Sequence, residues 1–535
     1  MIIMGIHGGV SINQHDPGCA IIDNGLLRIF IEEERLNRIK GSRGILPIFS
    51  ILKCLDDTSL DIKDIDILAI CGDSYVDLKE ITQNWMKHHF GFCPKIVVVN
   101  HQLAHLASAF YPSNFDKSLC ISYDAYGDRL SGAVALASKK DGIKIIEQFP
   151  FSNSLGIFYG TMTSYLGFKP GEDEFKVMGL SAYGKPKYDL SFFLDANENG
   201  FLCNDKYFTN YKSPTQFQPH YSDLLIEKLK INPRNKFEKI SQDHMNLASS
   251  TQYFLEKAIL SLISKYNDDH RFENLCLAGG VALNCSVNNK ISKLDNINKL
   301  YVQPSSSDRG LPLGAAILAS ANEGINFKTI SNNYYGPKSS YLEIESFLKL
   351  VNVKYEKIVN LDLIADLLYK GYIIGWFQGR SEFGPRALGN RSILANPTLK
   401  EMKDLVNKKI KFREEFRPFA PIIIEEQAHK YFNLKTSYKH MTVSCDTKKN
   451  MVDKIPSVIH VDNTARVQTV SNEDNPKIYD LLLKFKDLSG HPVLMNTSFN
   501  VMGQPIVETP RDALSTFYSC GLDYLYIGDY LIKKI

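Results

Sequence analysis

Short runs of apolar residues separated by turns recur from the start of the chain, and these runs read as strands. Ile2–His7, Cys19–Asp23 and Leu26–Glu33 read as strands joined by turns. Apolar positions recur at helical spacing over Ile45–Leu55. A strand follows at Ile65–Cys71, a helix near Leu78–His88 and a strand at Lys95–Asn100. The order is βββαβαβ. From Leu119 it begins again, with strands over Leu119–Tyr123, Gly132–Ala137 and Ile143–Gln148 and a helix from Leu155. After an irregular insertion, roughly Lys185–Tyr221, a long helix is predicted over Asp243–Tyr266. Then come a strand at Leu275–Leu277, a helix at Ala282–Lys290, a strand at Lys299–Gln303 and a helix at Leu313–Asn322.

Two halves of one topology predict a duplicated α/β fold of the actin type, with its ligand in the cleft between the halves. The Tyr-Tyr-Gly-Pro stretch within Asn332–Ser340 marks a boundary. The chain is therefore read as two domains, 1–340 and 341–535. The second is α+β, with strands such as Tyr372–Phe377 and Pro492–Met495. A length of 535 residues fits two or three domains. Hydrophobic residues at 44% and charged residues at 23% describe a soluble globular protein, and a net charge of +3 offers no case for nucleic acid as partner. Ten scattered cysteines without a CxxC pair fit reduced thiols. No signal-peptide pattern and no apolar run of membrane-spanning length is evident, so a cytoplasmic location without membrane contact is expected.

Candidate chemistry clusters at strand ends. His101 and His105 stand at i, i+4 in Asn-His-Gln-Leu-Ala-His, which puts both imidazoles on one helix face, suited to one metal ion. A capping histidine and a packed histidine are the ordinary alternative. Asp308, after the strand Lys299–Gln303, is placed to supply a carboxylate, or else an N-cap. Gly-containing turns close two strands, at Asp124–Gly127 and at Gly279–Gly280 before Asn284. Exposed backbone N–H groups there suit a phosphate. His15 can act as a base or be a turn residue, and Lys40 reads by default as a solvated lysine. In the second domain Arg386, Lys411, Arg413, Arg417 and Arg466 concentrate cations suited to phosphate, and Ser498 and Asn500 add uncharged donors and acceptors.

The stretches HQLAHLASAF, KVMGLSAYG, AGGVALNC, SEFGPRALGNRSILA, FRPFAP and NTSFN, in this order, resemble the NodU/CmcH family of O-carbamoyltransferases over nearly the whole chain. The resemblance implies an actin-fold (ASKHA, TsaD-like) first domain and a YrdC-like second domain. It implies that carbamoyl phosphate and ATP, with Mg²⁺, form carbamoyladenylate in the second domain. The carbamoyl group then passes to a hydroxyl of a sugar or secondary metabolite at an Fe²⁺ or similar divalent metal site in the first. By position, His101, His105 and Asp308 look like metal ligands, His15 like the acceptor's base and Lys40 like a cation near the acyl phosphate. Asp124, Gly127, Glu174, Gly279, Gly280 and Asn284 look like an adenylate site. Arg386, Lys411, Arg413, Arg417, Arg466, Ser498 and Asn500 look like the nucleotide and phosphate site, with Lys411-Phe-Arg413 and Ser498-Phe-Asn500 similar to a KxR…SxN signature. Smaller residues than Ser307 and Arg309 are expected beside the aspartate. A tRNA-modifying TsaD-like protein, an actin-fold sugar kinase and a non-catalytic nucleotide-binding module are the competing readings. The acceptor and the oligomeric state are left open, a homodimer included.

Overall fold

The computed structural model describes residues 1–9, 14–209, 220–270, 272–358 and 360–534. It forms two compact units: Met1–Val99 with Asp308–Ile535, and Asn100–Ser307. Residues 210–219 of the expected insertion lie outside the described part.

The first unit opens with β1 (Ile2–His7), β2 (Gly18–Asp23), β3 (Leu26–Glu32), α1 (Glu33–Asn37), α2 (Ile48–Thr58), β4 (Ile67–Cys71), α3 (Leu78–Phe90) and β5 (Lys95–Val99). The sheet order is β3-β2-β1-β4-β5, antiparallel across the first three strands and parallel from β1 to β5. Strands β1, β2 and β4 are buried almost throughout, which explains their near-continuous apolar runs.

The second unit repeats this plan. It runs α4 (His101–Phe110), β6 (Lys117–Gly127), β7 (Leu130–Ser138), β8 (Gly142–Pro150), α5 (Leu155–Tyr165) and α6 (Glu174–Ser181). A hairpin follows, β9 (Leu194–Asn197) and β10 (Gly200–Cys203), then α7 (Asp223–Leu229), α8 (Gln242–His270), β11 (Asn274–Ala278), α9 (Cys285–Ser292) and β12 (Lys299–Val302). The order β12-β11-β6-β7-β8 matches that of the first sheet strand for strand. The chain thus holds a duplicated actin-like α/β fold. The predicted helix at Leu313–Asn322 is present as α10 (Leu311–Asn322), but it packs on β1, β4 and β2 and belongs to the first unit. Gly5 in β1 permits this, because a Cβ there would lie 1.9 Å from the Pro312 carbonyl oxygen.

The rest of the first unit is α+β. The expected boundary at 340/341 coincides with a helix start, where Ser340 caps α11 (Tyr341–Leu350) in a capping box with Glu343. There follow β13 (Glu356–Lys357), α12 (Asp362–Tyr369), β14 (Ile374–Phe377), β15 (Arg391–Ala395), α13 (Met402–Val406), β16 (Ala420–Ile424) and α14 (Glu425–Ala428). Then come β17 (Cys445–Asp446), β18 (Thr464–Ala465), β19 (Gln468–Val470), α15 (Pro476–Ser489), β20 (Val493–Ser498), α16 (Pro510–Ser519), β21 (Tyr524–Ile527) and β22 (Tyr530–Lys533). Eight of these strands form one mixed sheet, β13-β22-β21-β14-β15-β20-β16-β19. Trp376, Leu482, Phe485 and Tyr526 are at the centre of its core, and the Trp376 indole donates to Gly389 O at 2.7 Å.

A buried knot of charge joins this sheet to the first one. Arg35 in α1 donates to the carbonyls of Glu382 (3.1 Å) and Gly384 (2.8 Å) and lies 3.8 Å from Glu32 and 3.9 Å from Glu508. Glu32 accepts from Gly384 N at 2.5 Å, and Arg391 lies 3.7 Å from Glu508 while its guanidinium sits 3.7 Å from the centre of the Phe377 ring. The Glu382 carboxylate accepts backbone N–H groups of Leu388, Asn390 and Arg391. Phe30 packs on Phe383 with ring centres 4.8 Å apart. Among the described residues no helix is long and apolar enough to cross a membrane, and the ten cysteines carry no disulfide.

Removing one member of such a knot strands the others without water. Arg35→Ala is expected to lower the unfolding free energy by about 3–5 kcal/mol in urea titration. Replacing Arg35 by Met and Glu508 by Gln together should cost less than Arg35→Ala alone. A loss below about 1 kcal/mol for Arg35→Ala would show that the knot holds nothing together.

Candidate metal centre and anion site

In the second unit Asn100 caps α4, its side chain accepting from Leu103 N at 3.1 Å. The first helical residue, His101, donates its backbone N–H to Asp128 at 2.7 Å. One turn later His105 brings its ring centre to 4.8 Å from that of His101. Asp124, near the end of β6, faces both: Oδ2 lies 3.2 Å from His101 Nε2 and 3.6 Å from His105 Nε2. All three side chains are buried, and their ligand atoms lie within 4.8 Å of one another. Gly127 leaves room for the first imidazole, since a Cβ there would come within 2.3 Å of the His101 ring. Two imidazole nitrogens and a carboxylate oxygen at this spacing fit a divalent transition metal.

Asp124 also reaches the second Gly turn. Its Oδ1 accepts from Gly280 N at 3.4 Å. Gly279 has φ +84°, and a Cβ there would sit 2.0 Å from the Tyr123 carbonyl oxygen. Asn284 caps α9 through Val287 N (3.2 Å) and exchanges amide hydrogen bonds with Gln252 at 2.9 and 3.1 Å. Gln252 in turn accepts from the Tyr159 hydroxyl and donates to Glu256, both at 2.9 Å. Glu174 heads α6 and accepts from Gly171 N at 2.6 Å, while burial raises its carboxyl to about 7. The sequence assigned Asp124 to the adenylate group alone. Its shared position between imidazoles and glycine turn was not foreseen, although its place at the end of a strand beside the helix pair is a usable signal.

In the first unit Asp308 stands 3.5 Å from His7 Nε2 and 4.0 Å from His15 Nε2. His15 Nδ1 is 3.3 Å from Asp16. Burial draws the His15 pKa down, but the carboxylates of Asp308 and Asp16 outweigh it and raise it to about 9. Arg309 fills the space where a small residue was expected. Its guanidinium binds Asp16 at 2.7 Å and Glu34 at 3.2 Å. His7, at the end of β1, was not singled out in the sequence; a histidine closing a buried apolar strand is the available hint. Lys40 is exposed just beyond α1, and its charge adds to the positive field at Lys411.

That field belongs to the α+β part. Lys411 ends a π-helical turn, Asn407–Lys411, a local geometry often found at functional positions. Its ammonium donates to Asn500 Oδ1 (2.9 Å), Asn500 O (3.0 Å) and Ser498 Oγ (3.3 Å), and Ser498 Oγ donates to Asn500 Oδ1 at 2.8 Å. Phe412 turns through φ +47° and sends Arg413 onto Asn407 Oδ1 (2.7 Å) and the Phe419 ring (4.4 Å). Burial, Arg413, Arg417 and Lys40 pull the Lys411 pKa well down; burial, Arg417 and Arg466 do the same to Arg413. Neighbouring cations of this kind, with Glu414 3.6 Å from Arg417, suit an anion. Arg386 is half-buried on the loop before β15. Arg391, in the same motif, is fully buried in the charge knot and serves the fold.

Against known proteins, a family model of the carbamoyltransferase N-terminus matches residues 70–317 and one of the carbamoyltransferase C-terminus matches residues 365–534. The nodulation protein NolNO of Sinorhizobium fredii is 34% identical over 100% of this chain and 83% of its own. An uncharacterised protein of Methanocaldococcus jannaschii is 32% identical over the full length of both chains.

The chain belongs to the carbamoyltransferase family.

Among solved structures, HypF of T. kodakarensis aligns with 61% of this carbamoyltransferase and 48% of its own chain, at 14% identity and TM-score 0.32. A ROK hexokinase from Thermus thermophilus aligns with 59% of this chain and 98% of its own, at 11% identity and TM-score 0.31. The N-terminal family match spans His101, His105, Asp124, Glu174, Gly279, Gly280, Asn284 and Asp308. The C-terminal match spans the whole cation group of the carbamoyltransferase, and His15 and Lys40 precede both.

Glu174 gives a pH test. With its folded pKa raised from 4.5 to about 7, its protonated form contributes stability that is complete below the unfolded pKa. That stability is lost as pH rises through the folded value. Glu174→Gln retains an acceptor for Gly171 N and removes the titration. Its urea-unfolding free energy should gain on that of the native chain between about pH 5 and about pH 8. An equal difference at both pH values would contradict the shift.

Proposed function

We propose that this carbamoyltransferase activates carbamoyl phosphate with ATP to carbamoyladenylate and passes the carbamoyl group to a hydroxyl of a sugar or secondary-metabolite acceptor. The observation that carries the proposal is the assembled group Lys411, Ser498 and Asn500 beside Arg413, in the same chain as the His101–His105–Asp124 donor set. In adenylation, water cleaves carbamoyl phosphate to carbamate and inorganic phosphate; a carbamate oxygen then bonds to the α-phosphorus of ATP, and pyrophosphate leaves. Lys411, Arg413, Arg417 and Arg466 offset the charge on phosphate oxygens as that bond changes; preorganised cations of this kind are worth most where water is excluded. Ser498 and Asn500 hold the Lys411 ammonium at a fixed point.

In transfer, the acceptor oxygen attacks the carbamoyl carbon, AMP leaves with the bonding pair, and the hydroxyl proton must go to a base. His15 is the proposed base. Because Asp308 and Asp16 raise its pKa to about 9, a base role requires that the charge of Asp308 be taken up by another partner. His101, His105 and Asp124 are the residues that fit a divalent metal such as iron, which when bound supplies a positive charge for the adenylate phosphate or the carbamoyl oxygen. The family resemblance adds Asp308 to the ligands, and we retain it as a proposal. The Gly279–Gly280 turn, Asn284 and Glu174 are the proposed adenylate contacts in the second unit.

Mass spectrometry of products after incubation with carbamoyl phosphate, ATP, Mg²⁺ and a panel of hydroxylated acceptors tests the reading. A carbamoylated acceptor is expected, and release of pyrophosphate without any carbamoylated product from any acceptor would count against it. His101→Ala is expected to lower bound metal and to reduce transfer by more than the roughly 100-fold that follows loss of a residue orienting a ligand, while ATP–pyrophosphate exchange persists. Transfer near the native rate in that variant would end the metal assignment. Asp308→Asn should likewise lower bound metal. Arg417→Ala should slow exchange by roughly 10²–10³-fold, and unchanged exchange would remove it from the site.

A further inference from the structure

Helix α1 and the turn after it are gripped on both sides by neighbours of residues of the proposed reaction, all within the first unit. On one side the Glu34 carboxylate accepts from Gly41 N (2.7 Å) and from Arg309 (3.2 Å), and Arg309 holds Asp16 beside His15. On the other side Arg38 donates to the carbonyls of Ile506 (2.6 Å) and Pro505 (2.9 Å), and its Nε lies 3.5 Å from Asp512. The 505–506 segment closes the turn that carries the KxR partners. Asn500 donates to Gln504 O at 2.7 Å, and Val507 N donates to Phe499 O at 2.9 Å. Asn500 accepts from Lys411 together with Ser498.

Arg38 also shapes the chain locally. It ends α1 in a left-handed conformation, φ 64°, with its N–H on Glu34 O at 3.1 Å. That reversal directs the chain to Lys40, whose charge is felt at Lys411, and to Gly41, whose carbonyl accepts from Asp16 N at 2.8 Å. One guanidinium therefore stands between the turn that holds Lys411 and the segment that holds His15 and Asp16. Its planar fork reaches two successive carbonyls, which a lysine ammonium cannot do in the same way.

We propose that Arg38 is a positioning residue that couples adenylation to transfer, keeping the Asn500–Ile506 turn in register with the His15–Asp16–Arg309 group. This rests on the carbamoyladenylate reading above. With register kept, the acceptor oxygen takes the carbamoyl carbon. With register lost, water does: its oxygen bonds to the carbamoyl carbon, the bond to the phosphate oxygen breaks, AMP leaves and carbamate remains. A misplacement of about 1 Å is enough to change a rate about 100-fold.

The test is the ratio of carbamoylated acceptor formed to pyrophosphate released, measured with full-length protein, carbamoyl phosphate, ATP and an acceptor. Arg38→Ala should keep most of its pyrophosphate release while the ratio falls about tenfold or more, with carbamate breakdown to ammonia taking up the difference. Arg38→Lys, which keeps the charge and is the milder change, should fall between. A ratio equal to that of the native protein in both variants overturns the proposal, and so does an equal fall in release and transfer, which marks a merely structural role. If the native protein releases no pyrophosphate, the adenylate reading fails first. If release and transfer are coupled in the native protein and both variants preserve the coupling, only the role of Arg38 fails.

Discussion

The first unit depends on charged side chains that are buried together. Glu32, Arg35, Glu382, Arg391 and Glu508 are each no more than 2% exposed. Taking an ion out of water costs several kcal/mol even after relaxation. The directions of the shifts agree with a net cost: burial pushes the carboxyls of Glu32 and Glu508 up and the Arg391 guanidinium down, against the pull of their partners. Such a knot is a poor source of stability and a strong source of geometry, because it is tolerable only when β3, α1 and the 382–391 loop meet in one arrangement. The apolar contact of Phe30 with Phe383 attracts without specifying that arrangement.

A different constraint governs the second unit. There the catalytic candidates are brought together by close backbone approach at glycines. Gly127 admits the His101 ring, and Gly279 lets the strand-to-helix turn lie against Tyr123. Asp124 then serves two groups at once, one oxygen toward the imidazoles and the other toward Gly280 N. A carboxylate shared in this way links the imidazole pair to the backbone of the glycine turn. Neither half could shift without disturbing the other.

What could be read from the sequence follows from which patterns are local. The strands of both actin-like halves were legible because burial on alternating or continuous faces leaves a direct mark on residue order. His101 and His105 were legible for the same reason, being one helical turn apart. α1 was not. Glu33, Glu34 and Arg35 look like a solvated charge run, yet Glu33 accepts from Ser50 N at 2.7 Å at the head of α2, Glu34 binds Arg309, and Arg35 enters the knot. Besides local contacts with Glu32 and Gly41, these partners lie 17 to about 470 residues away, and no local pattern announces a contact of that kind. Arg391 shows the converse. An Arg-rich motif suggested phosphate binding, but only burial separates an arginine that holds the fold from those that gather around Lys411. The placement of α10 on the first sheet was likewise invisible until Gly5 and Pro312 were seen in contact.

The cation group shows how the fold and the proposed chemistry are connected energetically. Lys411 and Arg413 are held in a state where burial and neighbouring cations both oppose their charge. A chain free to relax would turn these side chains out to water. They stay because Lys411 is fixed by Ser498 and Asn500 on β20 and its following turn, and because β20 is an interior strand between β15 and β16. The unfavourable charge is thus supported by the apolar core of the eight-stranded sheet, around Trp376, Leu494 and Phe485. In the proposed function, an arriving phosphate would relieve the repulsion without requiring the cations to reorganise. That is the condition under which electrostatic stabilisation contributes most to a reaction.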